Sequence, residues 1–305
     1  MENQRTASNF AAETTLQTND RKVAIITGGA SGIGRALCME AAGKGMVVIV
    51  SDINQEGGEA TARQINESGQ GEACFEKVDV SSAAAVEDLV NRVFGTYGRL
   101  DYMFNNAGIA MYGELCDMTL EHWQKIININ LWGAIHGTHA AYPLMKQQGF
   151  GYIVNTSSAT GLGPAPMTSA YATTKHAVVG MTTSLHYEAE AYGIHVSALC
   201  PAFVDTPIYA TADAVGMDKE KINEQVKKQK SMTPEQFAKI AFAKIHRHEA
   251  IICPMPMRRT MDVFFILFPG LHRKLMRLVC RISREASLRG KAGYRGSETT
   301  NTPII

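Results

Sequence analysis

A tyrosine and a lysine four residues apart form the most reactive pairing in the sequence. Tyr171 and Lys175 stand at positions i and i+4, so a helix brings the phenol and the ammonium onto one face. A free phenol is a poor base at neutral pH because its pKa is near 10, but a neighbouring cation lowers that pKa. Such a phenol can exchange a proton with an alcohol or carbonyl oxygen. Two serines precede the pair, Ser157 and Ser158, the second by thirteen residues.

A glycine-rich segment at residues 27–34 has the spacing G-x-x-x-G-x-G. Gly28 allows a sharp turn, Gly32 lets a pyrophosphate approach bare backbone, and Gly34 brings the following helix close to a sheet. The free N–H groups and the positive end of the helix dipole can then hold the anion. A glycine-rich turn without a ligand is the alternative, but an apolar run before it and a helical stretch after it favour a dinucleotide site.

Asp52 follows the next apolar run, 18 residues past Gly34. A carboxylate at this place can accept hydrogen bonds from both hydroxyls of an adenosine ribose, and it repels a 2′-phosphate. Its expected neighbours Ser31 and Ile53 are not basic, so no side chain there favours the extra phosphate. The sequence therefore predicts NAD in preference to NADP; the alternative is a solvated loop aspartate.

The chain that must position these residues alternates short β-branched runs with helical stretches. Apolar runs without strict period-2 patterning, each followed by a helix, indicate a parallel sheet covered on both faces. The expected fold class is α/β, a single doubly wound Rossmann domain with a seven-stranded parallel sheet and a C-terminal helical extension. The expected strands are residues 23–27, 46–51, 73–78, 100–104, 152–155, 194–198 and 250–253, and the expected helices are residues 34–44, 55–68, 83–96, 120–147 and 172–192.

The expected domain plan has three parts. Residues 1–20 read as a flexible arm, residues 21–256 as the NAD-binding and catalytic domain, and residues 257–305 as an amphipathic basic extension. Within the domain, residues 207–233 form an insertion that we expect to cover the substrate, with a charged helical segment at 218–230 and no strand. Thr233 is then predicted to cap a further helix, with Gln236 closing a capping box.

Composition excludes several other classes of protein. The chain has 305 residues, 45% of them apolar and 19% charged, which excludes a disordered chain, a collagen-like fibre and a small disulfide scaffold. Thirty basic residues against 29 acidic ones leave a net charge of +1, so no global field recruits nucleic acid. Six scattered cysteines and nine histidines lack metal-ligand spacing, which predicts reduced thiols, no metal and a cytoplasmic protein.

Several short motifs stand in one order along the chain: the 27–34 loop, Asp79-Val80, residues 105–108, Asn130, Ser158, Tyr171 with Lys175, and residues 201–206. In this set and order the sequence resembles the short-chain dehydrogenase/reductase family from Lys22 to Thr206. The resemblance implies an NAD(P)-dependent oxidoreductase that interconverts an alcohol and a ketone or aldehyde. The alternative is a catalytically idle sensor or scaffold, which would need only the glycine loop and Asp52.

The resemblance also implies roles for the catalytic residues. Tyr171 would be the general acid/base, and Lys175 would bind the nicotinamide ribose and depress the tyrosine pKa. Ser158 would hydrogen-bond the substrate oxygen, and Asn130 would hold a water that links Lys175 to solvent.

For the cofactor, the resemblance assigns Asp79 to the adenine edge and Asn106 to packing of the cofactor-side strand. Val204 and Thr206 would contact the carboxamide. The implied cofactor-binding set is Gly28, Ser31, Gly32, Ile33, Gly34, Asp52, Asp79, Val80, Asn106, Ala107, Gly108, Tyr171, Lys175, Pro201, Val204 and Thr206.

Two stretches depart from the family pattern. Pro201-Ala202 replaces Pro-Gly, which should stiffen the loop after the sixth strand. Residues 253–256 replace a glycine-rich ending that often takes part in subunit contacts, so a tetramer cannot be assumed. A homodimer and a homotetramer both stay open.

The C-terminal extension combines apolar periodicity with basic charge. Ten Lys/Arg against two acidic residues stand between Arg258 and Arg295, whereas residues 1–257 carry 20 basic and 26 acidic groups. Apolar residues recur at helical spacing from Phe264 to Ile282, interrupted at Pro269-Gly270. A helix docked on its own domain or on a partner subunit is one interpretation. The other is an interfacial helix in peripheral contact with anionic lipid.

An apolar substrate is the last expectation. Met111, Met167 and Phe203 neighbour the motifs and can line an apolar pocket. Residues 263–268 must pack on something, because a large apolar patch in water is an aggregation liability. Packing beside the 207–233 insertion would deepen the pocket. The expected small-molecule substrate is therefore an alcohol or carbonyl of the steroid, retinoid or fatty alcohol type.

Overall fold

The computed structural model describes residues 20–255 and 258–288. Its strands in chain order are β1 Val23–Thr27, β2 Val47–Asp52, β3 Glu72–Lys77, β4 Tyr102–Asn105, β5 Met111–Gly113, β6 Gly151–Thr156, β7 Ile194–Leu199, β8 Asp213–Val215 and β9 Ile251–Ile252. Its helices are α1 Gly32–Ala42, α2 Gln55–Ser68, α3 Ala83–Tyr97, α4 Leu120–Ile127, α5 Gly133–Gln148, α6 Ser169–Glu190, α7 Ile208–Thr211, α8 Lys219–Lys227, α9 Pro234–Ile245, α10 Arg258–Leu267 and α11 Pro269–Leu288.

The central sheet has seven parallel strands in the order β3-β2-β1-β4-β6-β7-β9. Every residue of β1 is buried, because helices cover both faces of the sheet and leave no side for polar residues. The strand order reverses between β1 and β4, and such a reversal opens a crevice beyond the carboxyl ends of the strands. The predicted doubly wound, seven-stranded parallel sheet is confirmed.

Two apolar layers hold the helices to the sheet. On one face, side chains of α1, α2 and α9 pack against alternate residues of the strands, with Phe104 and Phe242 at the centre. On the other face, α3, α5 and α6 cover the intervening residues, with Leu89 and Ile153 among the fully buried side chains. The alternation follows from the pleat, which sends successive strand residues to opposite faces.

Several helix ends match their local sequence signals. Thr233 accepts a hydrogen bond from the Gln236 N–H at 3.2 Å, and the Gln236 side chain accepts one from the Thr233 N–H, also at 3.2 Å. This capping box starts α9 as predicted. At the other end of a helix, Gly98 ends α3 with φ +68°, a left-handed conformation that favours glycine.

Two features of the chain between the sheet strands differ from expectation. Residues 207–233 were expected to lack a strand, but β8 lies there and pairs in parallel with β5 through Met111 and Asp213. A three-residue strand is too short to carry a periodic signal, so the pattern missed it. The helix expected over 120–147 is divided by a π-helical turn at Asn128–Trp132, which separates α4 from α5.

The C-terminal extension forms two consecutive helices, α10 and α11. The break was predicted at Pro269-Gly270, but it lies one residue earlier, at Phe268, and Pro269 begins α11. Helix α11 packs against α8 of the insertion. The expectation that residues 263–268 pack there is wrong: Ile266 is 76% exposed and Leu267 67% exposed.

Across the described ranges, no helix combines the length and hydropathy needed to span a bilayer. The predicted arm at residues 1–20 lies outside the described residues, apart from Asp20.

Candidate active site

A cavity of about 740 Å³ opens at the carboxyl ends of the central strands. Residues at or just after the ends of five strands line it, namely Gly28, Asp52, Asn106, Ser157 and Pro201. The cavity therefore lies in the crevice where ligands of doubly wound sheets bind. Every predicted cofactor-binding residue and three of the four predicted catalytic residues line it.

Helix α6 carries the phenol and the ammonium near its start. The Lys175 Nζ lies 5.6 Å from the centre of the Tyr171 ring and donates a hydrogen bond to the Thr156 carbonyl at 2.9 Å. Ser157 donates to the Lys175 carbonyl at 2.7 Å, which ties the helix to the end of β6. The spacing of Tyr171 and Lys175 thus places both groups on the cavity side of one helix.

Burial dominates the electrostatics of this pair. It lowers the pKa of Lys175 to about 8, because the ammonium loses its hydration. It raises the pKa of Tyr171 above its ordinary value, and interaction with the Ser158 hydroxyl opposes that rise. The expected lowering of the tyrosine pKa by Lys175 is therefore not the leading effect in the protein alone. In the protein alone, burial therefore favours the protonated form of the Tyr171 phenol.

Ser158 is the N-cap of the short 3₁₀ turn Ala159–Gly161 and accepts a hydrogen bond from the Thr160 N–H at 3.2 Å. It lines the cavity beside the phenol. The neighbouring Ser157 also lines the cavity, but its hydroxyl is committed to the Lys175 carbonyl. Of the two serines, Ser158 therefore has the hydroxyl that can serve a ligand.

Asn130 lies within the π-helical turn and is buried. Its side chain clamps Ile109, accepting from the Ile109 N–H at 2.8 Å and donating to the Ile109 carbonyl at 2.9 Å. It also donates to the Thr174 hydroxyl at 3.3 Å, next to Lys175 on α6. Asn130 is absent from the cavity wall, so it positions the loop and the helix around the lysine.

The glycine loop has the shape of a phosphate cradle. Gly28 has φ +69°, and a Cβ at Gly34 would lie only 1.9 Å from the Gly28 carbonyl oxygen. A Cβ at Gly32 would reach within 3.1 Å of the Thr206 side chain and fill the gap between the two loops. Ser31 precedes α1 without a side-chain cap, so backbone N–H groups of the first turn face the cavity. These features fit a pyrophosphate.

Asp52 is held firmly at the end of β2. Its carboxylate accepts hydrogen bonds from the Ala30 N–H and the Asn54 N–H, each at 2.9 Å. Exposed Ile53 lines the cavity beside it. Because each carboxylate oxygen can accept more than one hydrogen bond, the fixed Asp52 side chain can also receive ribose hydroxyls.

The remaining cofactor-side residues are tied together across the sheet. Asn106 donates to the Thr27 carbonyl at 3.0 Å and accepts from the Thr156 hydroxyl at 3.1 Å, which joins β1, β4 and β6. Asp79 accepts from Ser81 at the far end of the cavity. Gly108 leaves room beside Lys175: a Cβ there would lie 3.4 Å from the Nζ.

The other end of the cavity is apolar. Met111 and Phe203 line it as expected, but Met167 is not in its wall and lies buried with φ +66° instead. Two further phenols, Tyr112 and Tyr209, join this end. Other apolar residues of the wall include Pro164, Ala165, Pro166, Ile208, Val226, Met255, Met276 and Val279.

Comparison with known proteins identifies this arrangement. The chain matches the family model for short chain dehydrogenases over residues 22–215. The chain belongs to the short-chain dehydrogenase/reductase family. It is 33% identical over 231 residues to a D-beta-hydroxybutyrate dehydrogenase of Cupriavidus necator, across 72% of this chain and 89% of that protein. It is 36% identical over 196 residues to a 3beta-hydroxysteroid dehydrogenase of Mediterraneibacter gnavus, across 64% and 70%.

Solved structures of this family have the same fold as this chain. A short-chain dehydrogenase/reductase from Burkholderia phymatum, in complex with NAD, superposes with a TM-score of 0.75 at 27% identity, covering 84% of this chain and 97% of that one. The resemblance drawn from the motifs is confirmed. The protein is an oxidoreductase that acts on CH–OH donors with a nicotinamide dinucleotide cofactor.

Sequence reasoning missed part of the wall of this dehydrogenase/reductase. Tyr112 follows the motif at residues 105–108, but no sequence pattern around it predicts a place in the cavity wall. Met276 and Val279 come from α11, far along the chain. A helical wheel holds a weak signal for Met276, which shares a half-buried face with His272 and Cys280 and stands apart from the exposed leucine face.

Proposed function

We propose that this protein is an NAD-dependent dehydrogenase/reductase that interconverts an apolar alcohol and its ketone or aldehyde, with Tyr171 as the general acid/base. The observation that carries the proposal is the placement of Tyr171, Lys175 and Ser158 between a phosphate cradle and an apolar chamber of one cavity. A protein that only binds a dinucleotide would need the cradle and Asp52 alone. The idle sensor is therefore the weaker alternative.

The proton chemistry follows from the positions of the side chains. When bound, NAD would supply the hydride acceptor for oxidation of the alcohol, and its reduced form would supply the hydride for reduction of the carbonyl. Tyr171 takes the hydroxyl proton in oxidation and donates a proton to the carbonyl oxygen in reduction. Ser158 hydrogen-bonds the same oxygen and orients it. The hydrogen bond from the Lys175 Nζ to the Thr156 carbonyl fixes the lysine at the end of β6, and Asn130 supports the helix that carries Tyr171 and Lys175.

The preference for NAD over NADP rests on Asp52. Its carboxylate is fixed by two backbone N–H groups at the adenosine end of the cavity. A 2′-phosphate placed there would meet repulsion, whereas ribose hydroxyls would find an acceptor. Among the described wall residues of that end, none is basic.

The proposed substrate class follows from the apolar wall at the other end of the cavity, opposite the adenosine end. The only charged side chains among the described wall residues are Asp52, Asp79 and Lys175, and all three belong to the cofactor or catalytic positions. A carboxylate substrate, such as the one named for the Cupriavidus necator relative, would be desolvated here without a cationic partner. A neutral polycyclic or long-chain alcohol, of the kind named for the Mediterraneibacter gnavus relative, suits the chamber better.

Members of this family commonly assemble into oligomers, and we place this enzyme among them as a homodimer or homotetramer. We also place it in the cytoplasm, because no disulfide joins any of the six cysteines, all of which lie within the described residues, as is usual in a reducing compartment.

The experiment is a screen of NAD reduction by the purified protein. The panel contains 3-hydroxysteroids, retinol, fatty alcohols, D-3-hydroxybutyrate and small polyols, each with NAD and with NADP. We expect the highest kcat/KM with NAD and a neutral apolar alcohol. Activity confined to D-3-hydroxybutyrate would overturn the substrate class. Dinucleotide binding without turnover of any alcohol or carbonyl would favour the idle sensor.

A further inference from the structure

The two C-terminal helices present an apolar surface that the described chain leaves uncovered. Its members are all exposed, and within each helix they recur every three or four residues, so they form a stripe on each helix, with Phe268 between the two. We call this stripe the tail face; it consists of Phe264, Leu267, Phe268, Leu271, Leu275, Leu278 and Ile282. Exposed apolar patches of this kind mark sites that contact another protein, a membrane or an apolar ligand.

Basic side chains border the tail face. Arg273, Lys274, Arg277 and Arg281 are exposed on α11 and alternate in sequence with the tail-face residues of that helix. Glu285 is the one acidic residue between residues 269 and 288. The surface is therefore apolar and cationic together, while residues 1–257 carry an excess of acidic groups.

The same helix forms part of the substrate chamber. Met276 and Val279 line the cavity, and Val279 also remains 36% exposed at its edge. Arg284 donates to the Glu114 carboxylate at 2.5 Å, which fixes the far part of α11 to the segment after β5. The tail face therefore borders the substrate end of the cavity.

Charge decides between two occupants of this face. In a two-fold dimer the same surface meets itself, so the cations of one copy would approach those of the other. An anionic bilayer offers both an apolar interior and negative head groups to such a helix. Lys and Arg side chains can extend from the apolar face to those head groups.

We propose that α10 and α11 dock this enzyme on an anionic lipid bilayer, with the tail face in the acyl boundary and the mouth of the substrate chamber at the membrane surface. The inference rests on the proposed apolar substrate. In this position a lipophilic alcohol dissolved in the bilayer reaches Met276 and Val279 without crossing water.

The test is sedimentation of the full chain with vesicles of phosphatidylcholine alone and of phosphatidylcholine mixed with phosphatidylglycerol. We expect binding to the anionic vesicles and little to the neutral ones. The variant Arg273→Gln/Arg277→Gln/Arg281→Gln should bind anionic vesicles about 100-fold more weakly, from the usual contribution of each basic residue near a charged membrane. The matched control Arg63→Gln/Lys239→Gln/Arg247→Gln removes three exposed cations from other elements and should bind within about threefold of the parent.

The apolar contribution is tested by Leu271→Ser/Leu275→Ser/Leu278→Ser, with Leu120→Ser as an exposed-leucine control. The triple variant should lose at least about 10-fold in vesicle affinity. NAD binding, measured by fluorescence, reports that each variant is folded. Sedimentation needs no turnover, so failure of docking and failure of the proposed chemistry are distinguished.

Three outcomes would overturn the docking proposal. The full chain sediments with neither kind of vesicle, or the triple arginine variant binds anionic vesicles as tightly as the parent does. In the third, the leucine variant keeps its vesicle affinity but halves its mass in analytical ultracentrifugation, which would make the tail face a subunit interface.

Discussion

The two ends of the cavity are built in different ways. At the cofactor end, polar groups are fixed by specific bonds: the Thr27 hydroxyl accepts from the Asn106 N–H at 2.9 Å, and Asp52 accepts from two backbone N–H groups. At the substrate end, Met276, Val279 and their neighbours enclose space by apolar contact. The cofactor end depends on particular residue types at particular positions. The substrate end depends on the volume that its apolar side chains enclose.

This difference explains where function can be altered. A polar site fails when one donor or acceptor is lost, because the partner group is left without a hydrogen bond in a low-dielectric setting. An apolar chamber tolerates exchange among hydrophobic residues of similar volume. Changes at the cofactor end should therefore be severe and general. Changes at the substrate end should be milder and should depend on the substrate.

The largest effect is expected at the phenol. Tyr171→Phe removes the transferable proton and keeps the ring, so kcat should fall by about 10²–10⁴-fold while NAD affinity stays within about twofold. Steady-state kinetics and NAD titration measure the two quantities. Tyr209→Phe is the matched control, since it removes a second phenol from the same cavity and should lower kcat by less than about threefold. Near-normal turnover by Tyr171→Phe would show that another group moves the proton.

The next effect concerns cofactor choice. Asp52→Ala removes a charged acceptor, which should weaken NAD binding by about 10–100-fold and relieve repulsion of the 2′-phosphate of NADP. The ratio of kcat/KM with NAD to that with NADP should therefore fall. Asp79→Asn serves as the control, because the family resemblance assigns Asp79 to the adenine edge, which NAD and NADP share, so this variant should change the ratio little. An unchanged ratio for Asp52→Ala would remove this carboxylate from the ribose site.

The pH dependence tests the electrostatics of the buried pair. Alcohol oxidation needs the Tyr171 phenolate, and burial raises the pKa of that phenol, so kcat/KM should rise by up to about tenfold per pH unit from about pH 6. The rise should flatten above about pH 8, where Lys175 loses the charge that supports the phenolate. Carbonyl reduction uses the protonated phenol and should stay flat over the same range. Oxidation that falls as the pH rises would contradict the assignment.

The cofactor end was predictable because its chemistry demands certain residue types at certain spacings. The loop around Gly28 and Gly34 has no room for a side chain, and a phenol needs its neighbouring lysine on one helix face. These requirements leave marks in the sequence that can be recognised without a structure. The sheet was predictable for a related reason, since buried parallel strands must be apolar on both faces.

Other features of the structure have no signal in the sequence of the segments that form them. The π-helical turn that carries Asn130 is tied by two hydrogen bonds to Ile109, a residue 21 positions earlier. The pairing of β5 with β8 joins segments about a hundred residues apart, and each is only three residues long. The position of α11 depends on its packing against α8, so periodicity could predict the helix but not which of its residues would face the cavity.

The smallest expected effect lies at the substrate end. Met276 lines the chamber, whereas its neighbour Leu275 faces solvent, so the two positions on one helix separate enclosure of the substrate from other properties of the helix. Met276→Gln should raise KM for a long or polycyclic alcohol by about 5–20-fold, because an apolar contact is replaced by a polar group. KM for short alcohols and the affinity for NAD should stay within about twofold of the parent values. Leu275→Gln should leave all three unchanged when the substrate is supplied from cyclodextrin without vesicles. Equal KM changes for long and short alcohols in the Met276 variant would mean that α11 supports the fold of the cavity and does not enclose the substrate.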